Sequence, residues 1–227
     1  MKLTHKSEMV QKFADVMLRD YYKDAQKRSG LHRSDVIACP LRAYWRLTDK
    51  IKPIYSSQNV GTLLIGTLAH QVLHQNFDAQ EKEFDLYGIT VTVDAIFGVL
   101  SGAQEGKQFP IESKTTRKRI YRKEDILQDW IEQLAIAMAV MDVDKGYLMI
   151  LNVISFSLTV WEVEMNEEER KTFIQGCVWQ IGSILDAIQK RDPSLLSPKT
   201  SECENCPYRP MRTRPDGCIY YRPKKET

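Results

Sequence analysis

The sequence predicts an α/β fold, a mixed central sheet of about five strands flanked by helices. Three observations predict it. Ile89-Thr-Val-Thr-Val93 is a β-branched run after a Tyr87-Gly88 turn. Two further strand patterns lie near 147–153 and 156–164. Between and around them, segments with helical spacing of apolar residues alternate with the strands.

Taken in order, residues 5–28 space Met9, Val10, Phe13, Val16 and Met17 as one face of an amphipathic helix, with Gly30 as its stop. Ser34-Asp35 is a cap for a short segment reaching Cys39. Pro40 suits the first turn of the helix carrying Leu41 to Leu47. Residues 61–77 read as a helix with Leu64, Leu68, Val72 and Leu73 on its apolar side. Residues 81–86 and 89–97 read as a hairpin, and a polar turn over 101–107 leads to a strand around 109–114. A helix is expected over about 125–141, then the two strands, then a long helix from Asn166 to Lys190 that Asp192-Pro193 ends.

The chain has 227 residues, 43% of them apolar, enough for one domain with its own core. Lys and Arg number 32 against 30 Asp and Glu, so net charge names no partner and local clusters must. The longest run without Asp, Glu, Lys or Arg, Pro53 to Phe77, carries Ser, Gln, Asn, Thr and His throughout, and the more apolar stretch from Tyr147 to Trp161 is fifteen residues and polar in places. A membrane span needs roughly 20 mainly apolar residues, so none is expected. The charged start lacks the apolar core of a signal peptide, which makes a cytoplasmic protein the expectation.

Five cysteines, an odd number, argue against a disulfide framework in such a chain. Cys177, in a helical apolar stretch, reads as a small buried hydrophobe. Cys203-Glu-Asn-Cys206 is a Cys-x-x-Cys pair, followed by Cys218 in a tail with little apolar periodicity. Thiolates at that spacing suit zinc or an iron–sulfur cluster, with Cys39 as fourth ligand and His32 as its competitor. Spacing does not choose between the metals.

Asp94 is an acid within an apolar strand, where a carboxylate must be paired, hydrogen-bonded or metal-bound. On the next strand Glu112 and Lys114, two apart, share one face. Two hard oxygen ligands and an amine can hold Mg²⁺ or Mn²⁺ and hydrolyse a phosphodiester. Glu-x-Lys also occurs at Glu105 and Glu169, but in a turn and on a helix. Six of the ten residues from Lys114 to Lys123 are basic, as a phosphate backbone requires. The competing reading of each feature is plainer: a solvent-facing ion pair and a solvated loop. Gly66-Thr-Leu-Ala-His70 adds an imidazole on a helix, with His74 one turn later.

Together these pieces resemble the CRISPR-associated, iron–sulfur-containing exonucleases of the RecB-like branch of the PD-(D/E)xK nucleases. The likeness rests on Gly66-xxx-His70, Asp94, Glu112-Ser-Lys114, a glutamine-led helix at Gln133, and one N-terminal and three C-terminal cysteines. It implies a restriction-endonuclease-like core over 61–190, a helical segment over 1–60 with Cys39, and a cysteine-containing tail over 191–227. It implies His70, Asp94, Glu112 and the Ser113 carbonyl as metal ligands, Lys114 as catalytic lysine and Gln133 as a positioning group. Cys39, Cys203, Cys206 and Cys218 would hold a [4Fe–4S] cluster. The implied activity is cleavage of single-stranded DNA from an end, trimming spacer precursors with the CRISPR integrase. The family has Tyr four residues after the glutamine, where this chain has Ala137. Two other readings stand beside it: a repair or recombination nuclease of the same fold, and a non-catalytic, zinc-stabilised nucleic-acid-binding module. A homo-oligomer is compatible with this composition, and nothing in it requires one.

Overall fold

The computed structural model describes residues 30–48, 50, 57–74, 79–98, 106–199 and, in the tail, 203, 206–208, 210, 217, 218 and 220. The helix expected over 5–28 and most of the turn over 101–107 lie outside the described residues. The elements run β1 (Leu31–His32), α1 (Arg33–Ile37), α2 (Pro40–Thr48), α3 (Ser57–His74), β2 (Ala79–Leu86), β3 (Ile89–Gly98), β4 (Gln108–Thr116), α4 (Gln128–Val140), β5 (Lys145–Asn152), β6 (Ser157–Glu164) and α5 (Glu167–Lys190). The fold is α/β with a mixed sheet, as expected, but it has six strands rather than about five. The addition is β1, two residues paired parallel to Ile89 and Thr90. A strand that short has no periodicity to read.

β2 and β3 form the expected hairpin, Leu86 opposite Ile89. Tyr87 and Gly88 both take positive φ, 52° and 82°, the pair of left-handed residues that a tight two-residue hairpin needs. The second edge of β3 is shared. Its start pairs with β1, and residues 95–98 pair antiparallel with β4. β4 then runs parallel to β5, and β5 pairs antiparallel with β6. Thus β3 and β4 hold together only from Ala95–Ile111 outward, and the gap beyond that pair is where the acidic side chains lie.

On β4 the period of two puts Glu112 and Lys114 on one face, beside Leu148 and Ile150 of β5. Leu148 and Ile150 pack with Leu134 and Met138 of α4, all but fully buried. That packing fixes α4 over the face bearing Glu112. Gly146 on β5 lies under this helix: a Cβ there would meet Leu134 Cδ1 at 2.8 Å and Met138 Cγ at 2.9 Å. Both neighbours are wholly buried and have nowhere to go. Gly146→Ala is therefore expected to destabilise by about 1–3 kcal/mol through overpacking, measurable by urea denaturation.

α5 opens with a reciprocal cap. Asn166 Oδ1 accepts from the Glu169 N–H and Glu169 Oε2 accepts from the Asn166 N–H, each at 2.8 Å. Its buried stripe is Cys177, Ile181, Ile184 and Ala187, packed with Leu41, Tyr44 and Ile136 in the larger core cluster. Cys177 is thus the buried hydrophobe expected of it, and burial pushes its thiol up to about 11. α1 is capped differently from expectation: the His32 N–H donates to Asp35 Oδ2 at 2.9 Å. Asp35 also accepts from Arg46 of α2 at 2.5 Å, tying the two short helices together.

Candidate active site

The centre is built on β4, an inner strand of the sheet that is buried from Phe109 to Ser113. Beyond the Ala95–Ile111 pair the backbones of β3 and β4 part, and a side chain fills the ladder's place. Asp94 Oδ2 accepts from the Ser113 N–H at 3.0 Å. This answers why an acid sits in an apolar strand: it satisfies a backbone donor that the parted strands would leave unpaired.

Glu112 has no exposed surface. Its Oε2 accepts from Arg33 Nη1 at 2.6 Å, and its Oε1 lies 2.5 Å from Lys114 Nζ. The ammonium is off the direction of a hydrogen bond to Oε1, which stays a buried acceptor without one. Lys114 instead donates to Gln133 Oε1 at 2.8 Å. The backbone carbonyl of Gln133 accepts from Arg33 at 3.3 Å. Arg33 Nη2 reaches Asp94 Oδ1 at 3.4 Å, so one guanidinium bridges both carboxylates. From α3, His70 Nδ1 stands 3.9 Å from Asp94 Oδ2.

The electrostatics follow from this enclosure. Burial opposes the charge on Asp94, yet Arg33 first, then Lys114, His70 and the Ser113 N–H, hold its carboxyl below the usual range. Burial likewise opposes the charge on Arg33, and Glu112 and Asp94 more than offset it. The formal charges of Asp94 and Glu112 are matched by those of Arg33 and Lys114, with the His70 imidazole beside Asp94.

The structure thus brings together His70, Asp94, Glu112, Ser113, Lys114 and Gln133, from α3, three adjacent positions of β4, β3 and α4. Ala137, one turn after Gln133, is 1% exposed and packed with Val93 and Ile96. That position faces the core and offers no hydroxyl to the site. Gly66 is less demanding than its spacing implied: a Cβ there would meet Thr115 Oγ1 at 3.6 Å, an ordinary contact. The residue missed from sequence is Arg33. It lies 79 positions before Glu112 in a polar Leu-His-Arg-Ser-Asp stretch, and no spacing rule connects the two.

The basic stretch leaves the site directly. Arg117, Lys118, Arg119, Arg122 and Lys123 are exposed, while Ile120 is buried beside Leu148 and anchors the loop. Tyr121, 69% exposed, accepts from Arg119 at 2.9 Å.

A second cluster lies behind α1. Cys39, Cys203, Cys206 and Cys218 line one small cavity together with Arg42, Trp45 and Lys199. Cys39, Cys203 and Cys218 are buried. The Lys199 N–H approaches Cys39 Sγ at 3.4 Å, and burial raises the Cys206 thiol. His32, the competing fourth ligand, lies on β1 instead. Among the described residues no three His, Cys, Asp or Glu side chains converge closely enough to hold one metal ion. At the carboxylates a guanidinium takes that space, and the sulfurs line a cavity without meeting at a point.

No family model and no curated protein matches the chain. Among solved structures it is similar to that of SSO0001, with 19% identity and a TM-score of 0.59. The match covers 86% of this chain and 94% of that one. At that identity the likeness shows the fold alone. Among the described residues no helix is long and apolar enough to cross a membrane.

Proposed function

We propose that this protein is a metal-dependent deoxyribonuclease that cuts single-stranded DNA from an end. The observation that carries the reading is the meeting of Asp94, Glu112 and Lys114 at one buried centre, with exposed cations leading away from it. The donor set is of the kind a hard divalent ion takes: carboxylate oxygens of Asp94 and Glu112, the latter's Oε1 buried and contacted by Lys114 without a hydrogen bond, with His70 Nδ1 3.9 Å from Asp94. Mg²⁺ or Mn²⁺ bound there supplies a Lewis acid that lowers the pKa of a water and offsets negative charge on the phosphate.

The chain's own groups do the rest. Lys114, held by Gln133, presents an ammonium to a phosphate oxygen and orients the attacking water. Arg117, Lys118 and Arg119 attract the phosphate backbone, and Tyr121 offers an exposed ring on which a base can stack. The trimming of spacer precursors beside the CRISPR integrase rests on the family resemblance and is the biological setting proposed.

The cysteine cavity fits a thiolate-bound [4Fe–4S] cluster. Four cysteines line one cavity, the Lys199 N–H approaches Cys39 Sγ, and Arg42 is placed to offset thiolate charge at Cys206. A hydrolysis needs no electrons, so its role would be to hold the tail to α1 and α2, its binding energy adding to folding energy. Cys203→Ala is expected to lose the cluster's brown colour in anaerobic preparations and lower the melting midpoint by upwards of about 5 °C. Full metal content and unchanged melting would contradict the assignment.

The deciding experiment incubates end-labelled single-stranded DNA with Mn²⁺ and the anaerobically purified protein. Stepwise shortening that needs Mn²⁺ and disappears in Lys114→Ala supports the reading. Salt-sensitive binding without metal-dependent cutting would make the protein a binding module instead.

A further inference from the structure

Arg33 is the one group at the centre that a two-carboxylate, one-lysine hydrolytic site does not call for. It is also the best-bound: its guanidinium spans Glu112 at 2.6 Å, Asp94 at 3.4 Å and the Gln133 carbonyl at 3.3 Å. Its side chain is 10% exposed, and it is anchored in α1 by Val36 and Ile37 in the core and by the Asp35–Arg46 pair. This anchorage leaves rotation of the side chain, not travel of the helix, as the means of releasing the carboxylates.

Charge decides what can replace it. With Arg33 in place, the two carboxylates are already balanced by Arg33 and Lys114. Adding a divalent cation to that set would bury two uncompensated positive charges, which the low-dielectric interior disfavours. Removing Arg33 while adding one divalent cation and one phosphodiester, which carries a single negative charge, leaves the set neutral again. The guanidinium and the metal–phosphate pair are therefore equivalent in net charge and compete for the same oxygens.

We infer that Arg33 is a built-in counter-cation that pairs both carboxylates before substrate arrives, and that a divalent ion and a substrate phosphate displace it together. This rests on the hydrolase reading above and adds to it a coupling: metal binds weakly alone and tightly with DNA. The site then assembles its metal only on substrate, which would suppress idle metal binding.

The test measures Mn²⁺ affinity by loss of the free-ion electron paramagnetic resonance signal, with and without a short phosphorothioate-linked single-stranded oligonucleotide that resists cleavage. In the wild-type protein the oligonucleotide should tighten Mn²⁺ binding at least tenfold. Arg33→Met should bind Mn²⁺ alone at least tenfold tighter than wild type, and should gain less than threefold from the oligonucleotide. Arg33→Lys, which keeps the charge but not the two-pronged contact, should fall between them. Independently of any variant, the Arg33 guanidinium nitrogens in the wild-type protein should show hindered rotation by NMR, released by Mg²⁺ plus oligonucleotide and not by Mg²⁺ alone. Arg33→Met binding Mn²⁺ no tighter than wild type, or a guanidinium that stays locked with both ligands present, overturns the displacement and leaves the hydrolase reading standing. No Mn²⁺ binding by either protein under any condition overturns both.

Discussion

Glu112→Ala is expected to cost about 3–5 kcal/mol of folding stability, far more than its size implies. The side chain is wholly buried, and its carboxylate accepts the shorter of the two contacts that neutralise Arg33. Deleting it leaves a guanidinium inside the sheet–helix interface with one longer carboxylate contact, to Asp94, and the neutral Gln133 carbonyl. The loss should be largely reversed by pairing it with Arg33→Met, because taking out both charges replaces an orphaned ion with apolar volume. Urea unfolding of the two single variants and the double variant measures this. A double variant that loses as much as the two singles added together would mean that the groups are not energetically coupled. This cycle bears on the fold whatever the site does chemically.

Lys114→Ala is expected to leave folding nearly intact while lowering metal-dependent cleavage by about a thousandfold, the range found when one charge-stabilising donor is removed from a hydrolytic centre. Lys114 is partly open to solvent and its contacts are to Glu112 and Gln133. The carboxylate keeps Arg33 as its partner when the lysine goes, so stability changes little. Gln133→Ala should cost only about tenfold, since the Glu112 contact still restrains the ammonium. It positions Lys114 and does not itself meet the phosphate, so kcat should fall with KM little changed. Equal losses for the two variants would place Gln133 among the groups that touch substrate. Cleavage undiminished in Lys114→Ala would remove the proposed centre altogether.

Much of the architecture was legible before any coordinates. Hydrophobic period fixed the type of β3, β5, α4 and α5, and Gly88 marked the hairpin turn because glycine takes a positive φ without steric cost. The boundaries shifted by a few residues where side chains compete for the ends. The helix expected from about 125 begins at Gln128, because Asp125 turns back to accept from the Tyr121 and Arg122 N–H groups at 3.0 Å. The two-residue β1 was invisible, since it exists only by pairing with the start of β3.

Within the candidate site, the period of two was enough to put Glu112 and Lys114 on one face, and an acid in an apolar strand marked Asp94 as a group needing a partner. What the partner is could not be read. Arg33 meets Asp94 across 61 residues and Glu112 across 79, and an arginine in a polar stretch carries no signal of that. The same is true of the cavity shared by Cys39 and the tail cysteines, whose members are evident by residue type but are brought together only by folding.

The sequence by itself determined which residues lie on strands and helices, and which side chains share a face, because those follow from local backbone period. Tertiary structure alone decided that a guanidinium, and not open space, stands between the two carboxylates. Charges buried from distant parts of the chain must balance one another, and that condition is met in three dimensions with no repeat along the sequence to announce it.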